Sequence, residues 1–135
     1  MDADQMIESE LNALSETVIG CAYKVSNTLG CGFLEKVYEN ALGHEIRKLG
    51  HAVEIQKPLH VVYDGVIVGE YFADLVVDAC LLIELKTTNG FHENHMAQCI
   101  NYLNATRYPL CLLINFGRPR VEIKRVFESR FLQNV

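Results

Sequence analysis

Apolar residues recur at Ile7, Leu11, Leu14, Val18, Cys21, Val25 and Leu29, in steps of three and four. That spacing gathers them on one side of a long helix, predicted from about Asp4 to Leu29. Gly30 and Gly32 stop it. A second helix is expected from about Leu34 to Leu49, ended by Gly50. The period then falls to two. Val53, Ile55 and the run Leu59–Tyr63 read as strand, Asp64-Gly65 is a two-residue hairpin turn, and Val66–Val77 returns. Leu81–Thr87 follows and is broken at Asn89-Gly90. A helix from about His92 to Thr106, a strand at Leu110–Asn115, a turn at Gly117-Arg118-Pro119 and a strand Val121–Phe127 complete the order. The pattern predicts a mixed α/β single domain over residues 1–135, with an N-terminal helix (1–30), a core (31–127) and a short tail (128–135). The stripe of the first helix either packs on its own domain or forms part of a homodimer interface.

Charges interrupt this pattern at one place. Asp74 and the triplet Glu84-Leu85-Lys86 sit inside runs that otherwise read as buried strand. Charged side chains rarely occupy such positions unless paired or bound to a metal. Alternation along a strand sends Glu84 and Lys86 to one face and Leu85 to the other. Asp74 and Glu84 offer the hard oxygen donors that Mg²⁺ or Mn²⁺ prefers, and the Leu85 carbonyl is a third candidate ligand. Lys86 can hold an attacking water or neutralise charge growing on a phosphate. The set suits metal-assisted phosphodiester hydrolysis; a buried Glu–Lys pair with Asp74 in a turn is the structural alternative. The carboxylates share a face only if Asp74 lies opposite Glu84. That register makes paired residue numbers sum to 158 and requires an odd loop at Asp78-Ala79-Cys80, or a bulge that restores the phase.

Other candidates surround this set. His95, Gln98 and Tyr102 form a polar stripe on the later helix, beside an apolar stripe of Met96, Cys99, Ile100 and Leu103. Glu35 opens the second helix and can enter the site from that side; otherwise it is a first-turn glutamate favoured by the helix dipole. One face should receive both Glu35 and Gln98. His92 and His95 are spaced wrongly for a helical zinc pair.

Composition adjusts the picture modestly. The chain is 135 residues long and half hydrophobic, enough for a real core. The acidic, polar N-terminus lacks the start of a signal peptide, and no window is long enough to span a membrane, so a cytoplasmic location is expected. Five cysteines without a C-x-x-C fit reduced, packed thiols. A net charge of −5 counts against tight, metal-free binding of duplex DNA. A bound cation offsets part of that charge, and Arg118, Arg120, Lys124, Arg125 and Arg130 cluster toward the C-terminus.

Gly32, Glu35 and Tyr38 spell G-x-x-E-x-x-Y. With Tyr63-Asp64-Gly65, the run Val68–Asp74, Glu84-Leu85-Lys86, His95-Met96-Ala97-Gln98 and Leu113–Gly117, the chain resembles the GxxExxY proteins of the PD-(D/E)XK nuclease superfamily. The resemblance implies an αβββαβ core with a central mixed sheet, to which the first helix is an addition. It also implies Asp74 and Glu84 as metal ligands, Lys86 as the catalytic lysine, Glu35 as an upstream acidic residue, and Gln98 and Tyr102 as accessory residues of a Q-x-x-x-Y motif. The expected activity is a Mg²⁺- or Mn²⁺-dependent nuclease acting on nucleic acid, DNA in the first instance. Two other readings stand beside it: a binding or assembly module that kept the fold without turnover, and a metal-dependent hydrolase of small phosphoesters.

Overall fold

The structure is a computed structural model that describes residues 8–128; Asp4, Ile7 and Arg130 of the predicted elements lie outside the described residues. Helices α1 (Glu8–Leu29) and α2 (Glu35–Lys48) precede strands β1 (Val53–Tyr63), β2 (Val66–Val77) and β3 (Leu81–Lys86). Helix α3 (Glu93–Thr106) then leads to β4 (Leu110–Asn115) and β5 (Glu122–Phe127). The strands form one mixed sheet in the order β1-β2-β3-β4-β5. Only β3 and β4, joined through α3, run parallel, because a parallel pair needs a crossover. The α2-β1-β2-β3-α3-β4 portion is the core expected of a PD-(D/E)XK-like fold, with α1 and β5 added to it.

Helices lie on both faces. Leu11, Leu14, Val18, Cys21, Ala22 and Val25 of α1 join Tyr38, Leu42 and Ile46 of α2 over Leu75, Ile83, Leu85, Leu112 and Ile114. Each buried side chain of this size contributes about 2 kcal/mol. The stripe of α1 is therefore covered by its own domain, and that face is not open to a second subunit. On the other face Cys99, Tyr102 and Leu103 of α3 cover Val76, Leu82, Cys111 and Leu113. Ile100, expected on this stripe, is 46% exposed, and Tyr102 is buried in its stead. At 100° per residue, Ile100 falls a quarter-turn away from a stripe centred on Cys99.

Two details of the sheet shape the site. First, β1 is a single strand through Pro58, which an edge strand tolerates because its missing donor costs no ladder bond on the open side. Second, β2 pairs with β3 only over Leu75–Val77. Residues 66–73 therefore continue with β1 as a two-stranded ribbon. Val62, Tyr63, Val66, Ile67, Val68, Tyr71 and Phe72 are exposed along it.

Lys124 and Arg125 of the predicted basic cluster do not share one patch. Arg125 turns toward α1, donating to Ser15 Oγ at 2.9 Å and pairing with Glu16 at 2.6 Å. Lys124 lies over the Phe91 ring at 5.8 Å. Adjacent strand residues point to opposite faces, which separates the two.

Candidate active site

The register between β2 and β3 pairs Leu75 with Ile83, Val76 with Leu82 and Val77 with Leu81. These pairs sum to 158, as the shared site requires. The connection achieves it with a turn and an extra residue. Asp78 and Ala79 both take positive φ, 51° and 54°, and Cys80 N–H closes on Val77 O at 3.1 Å. That is the sign pattern of a two-residue type I′ turn, yet Leu81, not Cys80, pairs with Val77. Cys80 is the supernumerary residue that restores the phase. The Asp78 carboxylate secures the turn by accepting from Ala52 N–H at 2.9 Å and contacting His51 Nδ1 at 2.7 Å.

Beyond Leu75 and Ile83 the ladder opens, and the acidic side chains take over its hydrogen bonds. Asp74 N–H donates to Glu84 Oε1 at 3.2 Å, and Leu85 N–H donates to Asp74 Oδ2 at 2.8 Å. Each carboxylate thus satisfies the backbone of the opposite strand, as buried N–H groups demand. On the other side of Asp74, the β1 ladder skips Gln56, whose φ is +52°. Across this point the inward alternation changes phase. Val53, Ile55 and Leu75 pack under α1 and α2, whereas Leu59 and Ala73 pack under α3. A non-glycine residue at positive φ within a strand is uncommon and tends to mark a functional position.

Gln56 ties the strand to α2. Its Nε2 donates to Asp74 Oδ1 at 3.0 Å and to Glu39 Oε1 at 2.5 Å, while Lys36 Nζ meets Glu39 Oε2 at 2.6 Å. Glu35, Lys36, Glu39, Gln56, Asp74 and Leu85 line one depression of about 200 Å³. Glu35 lines this depression from α2; Glu39 and Gln56 beside it were not anticipated. Glu39 carried a sequence signal, standing four residues after Glu35 on the same helical face. Gln56 carried none. Tyr38 of the G-x-x-E-x-x-Y run builds the entrance to α2: its hydroxyl donates to Gly30 O at 2.6 Å and its ring stacks on Phe116 at 4.6 Å.

Gln98 and Tyr102 lie across the sheet. Because α2 and α3 cover opposite faces, Glu35 and Gln98 do not arrive on one face, and that expectation is corrected. They flank the place where β2 and β3 part. Gln98 Nε2 donates to the Tyr102 hydroxyl at 2.7 Å, and the Tyr102 and Tyr71 rings meet at 5.4 Å. Burial, then the charge of Glu84, raises the Tyr102 hydroxyl above its ordinary value. His92 and His95 form the start of α3 rather than a metal pair, with His92 N–H donating to His95 Nδ1 at 3.2 Å.

Lys86 ends β3, and Asn115 fixes the backbone that leaves it. The fully buried Asn115 accepts from Thr88 N–H at 3.0 Å and Gly117 N–H at 2.9 Å, and donates to Thr88 O at 2.9 Å and Glu122 at 3.0 Å. Gly117 passes so close to Thr87 and Thr88 that a Cβ there would lie 2.4 Å from backbone atoms.

The electrostatics call for positive charge. Burial, reinforced by Asp74, pushes Glu84 up to about 9. Asp74 is raised by burial, against the hydrogen bonds from Leu85 and Gln56. Glu35 is raised by desolvation, opposed by Lys86. Among the described residues no three His, Cys, Asp or Glu side chains converge as a ready cage. Asp74 and Glu84, tied by reciprocal bonds to the opposite backbone, are nevertheless hard oxygen donors of the kind taken by a cation that keeps several waters, and a positive charge there would favour ionisation of the raised Glu35, Asp74 and Glu84 carboxyls.

Comparison with known proteins settles the family. A sequence profile described as the PD-(D/E)XK nuclease superfamily matches residues 12–126. The chain belongs to the PD-(D/E)XK nuclease superfamily. No curated protein sequence matches it. Among solved structures, this PD-(D/E)XK protein is similar to an alkaline exonuclease (LHK-Exo) from Laribacter hongkongensis, at 16% identity and a TM-score of 0.52, covering 98% of this chain and 77% of that one. The same exonuclease in complex with dAMP gives 15% identity and a TM-score of 0.53 over the same shares. These likenesses concern the fold. No helix among the described residues is long and apolar enough to cross a membrane.

Proposed function

We propose that the protein is a nuclease that hydrolyses DNA phosphodiester bonds with Mg²⁺ or Mn²⁺ at the gap between β2 and β3. The observation that carries this reading is the register sum of 158 together with the reciprocal bonds of Asp74 and Glu84 to the opposite backbone. In this reading Asp74, Glu84 and the Leu85 carbonyl would hold the cation, with Glu35 as a further candidate ligand from α2. When bound, the cation supplies an activated water and Lewis-acid stabilisation of the phosphate. Lys86, on the strand face of Glu84, orients the attacking water or neutralises the charge that grows on the phosphoryl oxygens. Gln56 holds Asp74 against rotation and couples it to Glu39. Gln98 and Tyr102 position substrate from the α3 side. The G-x-x-E-x-x-Y spacing supports a place among the GxxExxY proteins, and the absence of a membrane-spanning helix among the described residues is compatible with a cytoplasmic location.

The test is an assay of single- and double-stranded DNA and RNA with Mn²⁺, Mg²⁺ or EDTA, run beside Lys86→Ala. Cleavage that requires the cation and Lys86 supports the reading. A folded protein that binds nucleic acid without cutting it would favour the binding-module alternative. Turnover confined to small phosphoesters would favour the third.

A further inference from the structure

On the α3 side of the gap lies a cleft of about 350 Å³, lined by Tyr71 from the ribbon and by Asn94, His95, Ala97, Gln98, Asn101 and Tyr102 from α3. The helical contributors are spaced three and four apart, so they form one continuous face of α3. Tyr71 stands opposite, 48% exposed, its ring tilted by 45° to that of Tyr102 with the centroids 5.4 Å apart. Such a cleft is at the small end of ligand sites, roughly 300–1,000 Å³. It combines a half-exposed tyrosine ring, a small side chain at Ala97, the His95 imidazole and three rotatable amides. No carboxylate lines it, although the chain as a whole is acidic. The depression on the α2 side is the reverse, with Glu35, Glu39 and Asp74 in its wall. Tyr102 joins the cleft to the gap, since it lines the one and packs in a cluster with Ala73 of β2 and Leu82 of β3 at the other.

We propose that this cleft is a nucleobase subsite that receives an unpaired nucleotide of the substrate strand, stacked on Tyr71, beside the phosphate presented to Asp74, Glu84 and Lys86. The inference rests on the nuclease reading and adds the substrate class, a single-stranded or frayed strand. A base within a duplex has both faces covered by its neighbours and cannot present one to Tyr71. An unpaired base can, and aromatic stacking accepts any base. The amides of Asn94, Gln98 and Asn101 supply donors and acceptors to the base edge without fixing its identity. Neutrality of the lining admits an anionic strand that the acidic α2 side repels.

The experiment uses the full chain with Ca²⁺ present and follows fluorescence anisotropy of a labelled oligothymidylate, the same oligomer made abasic throughout, and a blunt duplex. The wild type should prefer the oligothymidylate to both others. Tyr71→Leu should weaken that binding by about 5- to 150-fold, the range for one lost stacking contact, and Tyr71→Phe should leave it near wild type. Circular dichroism melting of both variants guards against misfolding, and Asn101→Asp, on the exposed helix face, should weaken binding independently. Equal binding of the abasic oligomer, no binding of oligothymidylate, or wild-type affinity in a folded Tyr71→Leu protein would each overturn the subsite. Lys86-dependent cleavage with Tyr71-independent binding would sink the subsite alone. Tyr71-dependent binding without cleavage of any nucleic acid would sink the nuclease reading and leave the subsite standing.

Discussion

Glu84 makes the metal-free protein sensitive to pH in a direction opposite to that of most carboxylates. Its folded value near 9 stands above the ordinary 4.5, so the native state holds a proton that the unfolded chain has released. Stability with pH follows the difference in bound protons, unfolded minus native, which is negative here. The contribution of Glu84 is therefore full below about 4.5, falls as pH rises, and is lost by about 9. The slope approaches 1.4 kcal/mol per pH unit within the window. From pH 5 to pH 8 that is at most about 4 kcal/mol, and sharing of the proton with Asp74 makes about 2–4 kcal/mol the working range. Glu84→Gln keeps an oxygen for Asp74 N–H and removes the titration. Urea denaturation in EDTA should show the wild type weakening over this range while Glu84→Gln stays level. With a slope of about 2 kcal/mol per molar, the two midpoints should part by about 1–2 M at pH 8. Parallel profiles for the two proteins between pH 5 and 8 would refute the buried, protonated Glu84.

Lys86→Ala should lower turnover by about 10²–10³-fold with substrate affinity nearly intact, the range for losing one preorganised electrostatic group, measured in single-turnover cleavage. Asn115→Ala deletes four hydrogen bonds and strands Thr88 and Gly117 N–H groups. It should cost about 3 kcal/mol in chemical denaturation and reduce cleavage in the surviving folded fraction, since the backbone after Lys86 is released. Leu14→Glu places an unpaired carboxylate in the α1 core, where Leu14 is 6% exposed. The expected result is a loss of about 4 kcal/mol or more in a melting experiment, rather than the conversion of a dimer to a folded monomer. Asp74→Asn and Glu84→Gln should each abolish the heat of Mn²⁺ binding in calorimetry while the protein stays folded.

Much of this was legible in the sequence because periodicity and turn chemistry are local. The helix stripe from Leu11 to Val25, the Asp64-Gly65 hairpin and the buried runs of β3 and β4 all follow from spacing. The register of β2 on β3 followed too, since a shared face for Asp74 and Glu84 needs paired numbers that sum to 158, and the ladder from Leu75 to Val77 has that sum. What escaped was tertiary. Gln56 owes its importance to a positive φ and to partners 17 and 18 positions away in sequence, Glu39 and Asp74. The placement of Glu35 and Gln98 on one face failed because it treated the site as lying on the sheet. The candidate residues stand instead about a split in the sheet, with a depression on either side. The basic residues of β5 looked like a patch in one dimension and were divided by strand alternation.

The connection Asp78-Ala79-Cys80 has a consequence for how the chain tolerates changes of length. Strand β3 is held in antiparallel register to β2 and in parallel register to β4. It cannot slide by one position without breaking one of these ladders. A deletion of Cys80, or insertion of a single residue beside it, would therefore either tear the sheet or rotate Glu84 and Lys86 into the opposite layer while Leu85 took their place. A two-residue insertion leaves the parity untouched and lengthens only a surface turn, which chains absorb at small cost. Among homologous chains, length variation between these two strands should come in even steps, and an odd step should coincide with a lost Glu84 or a compensating bulge.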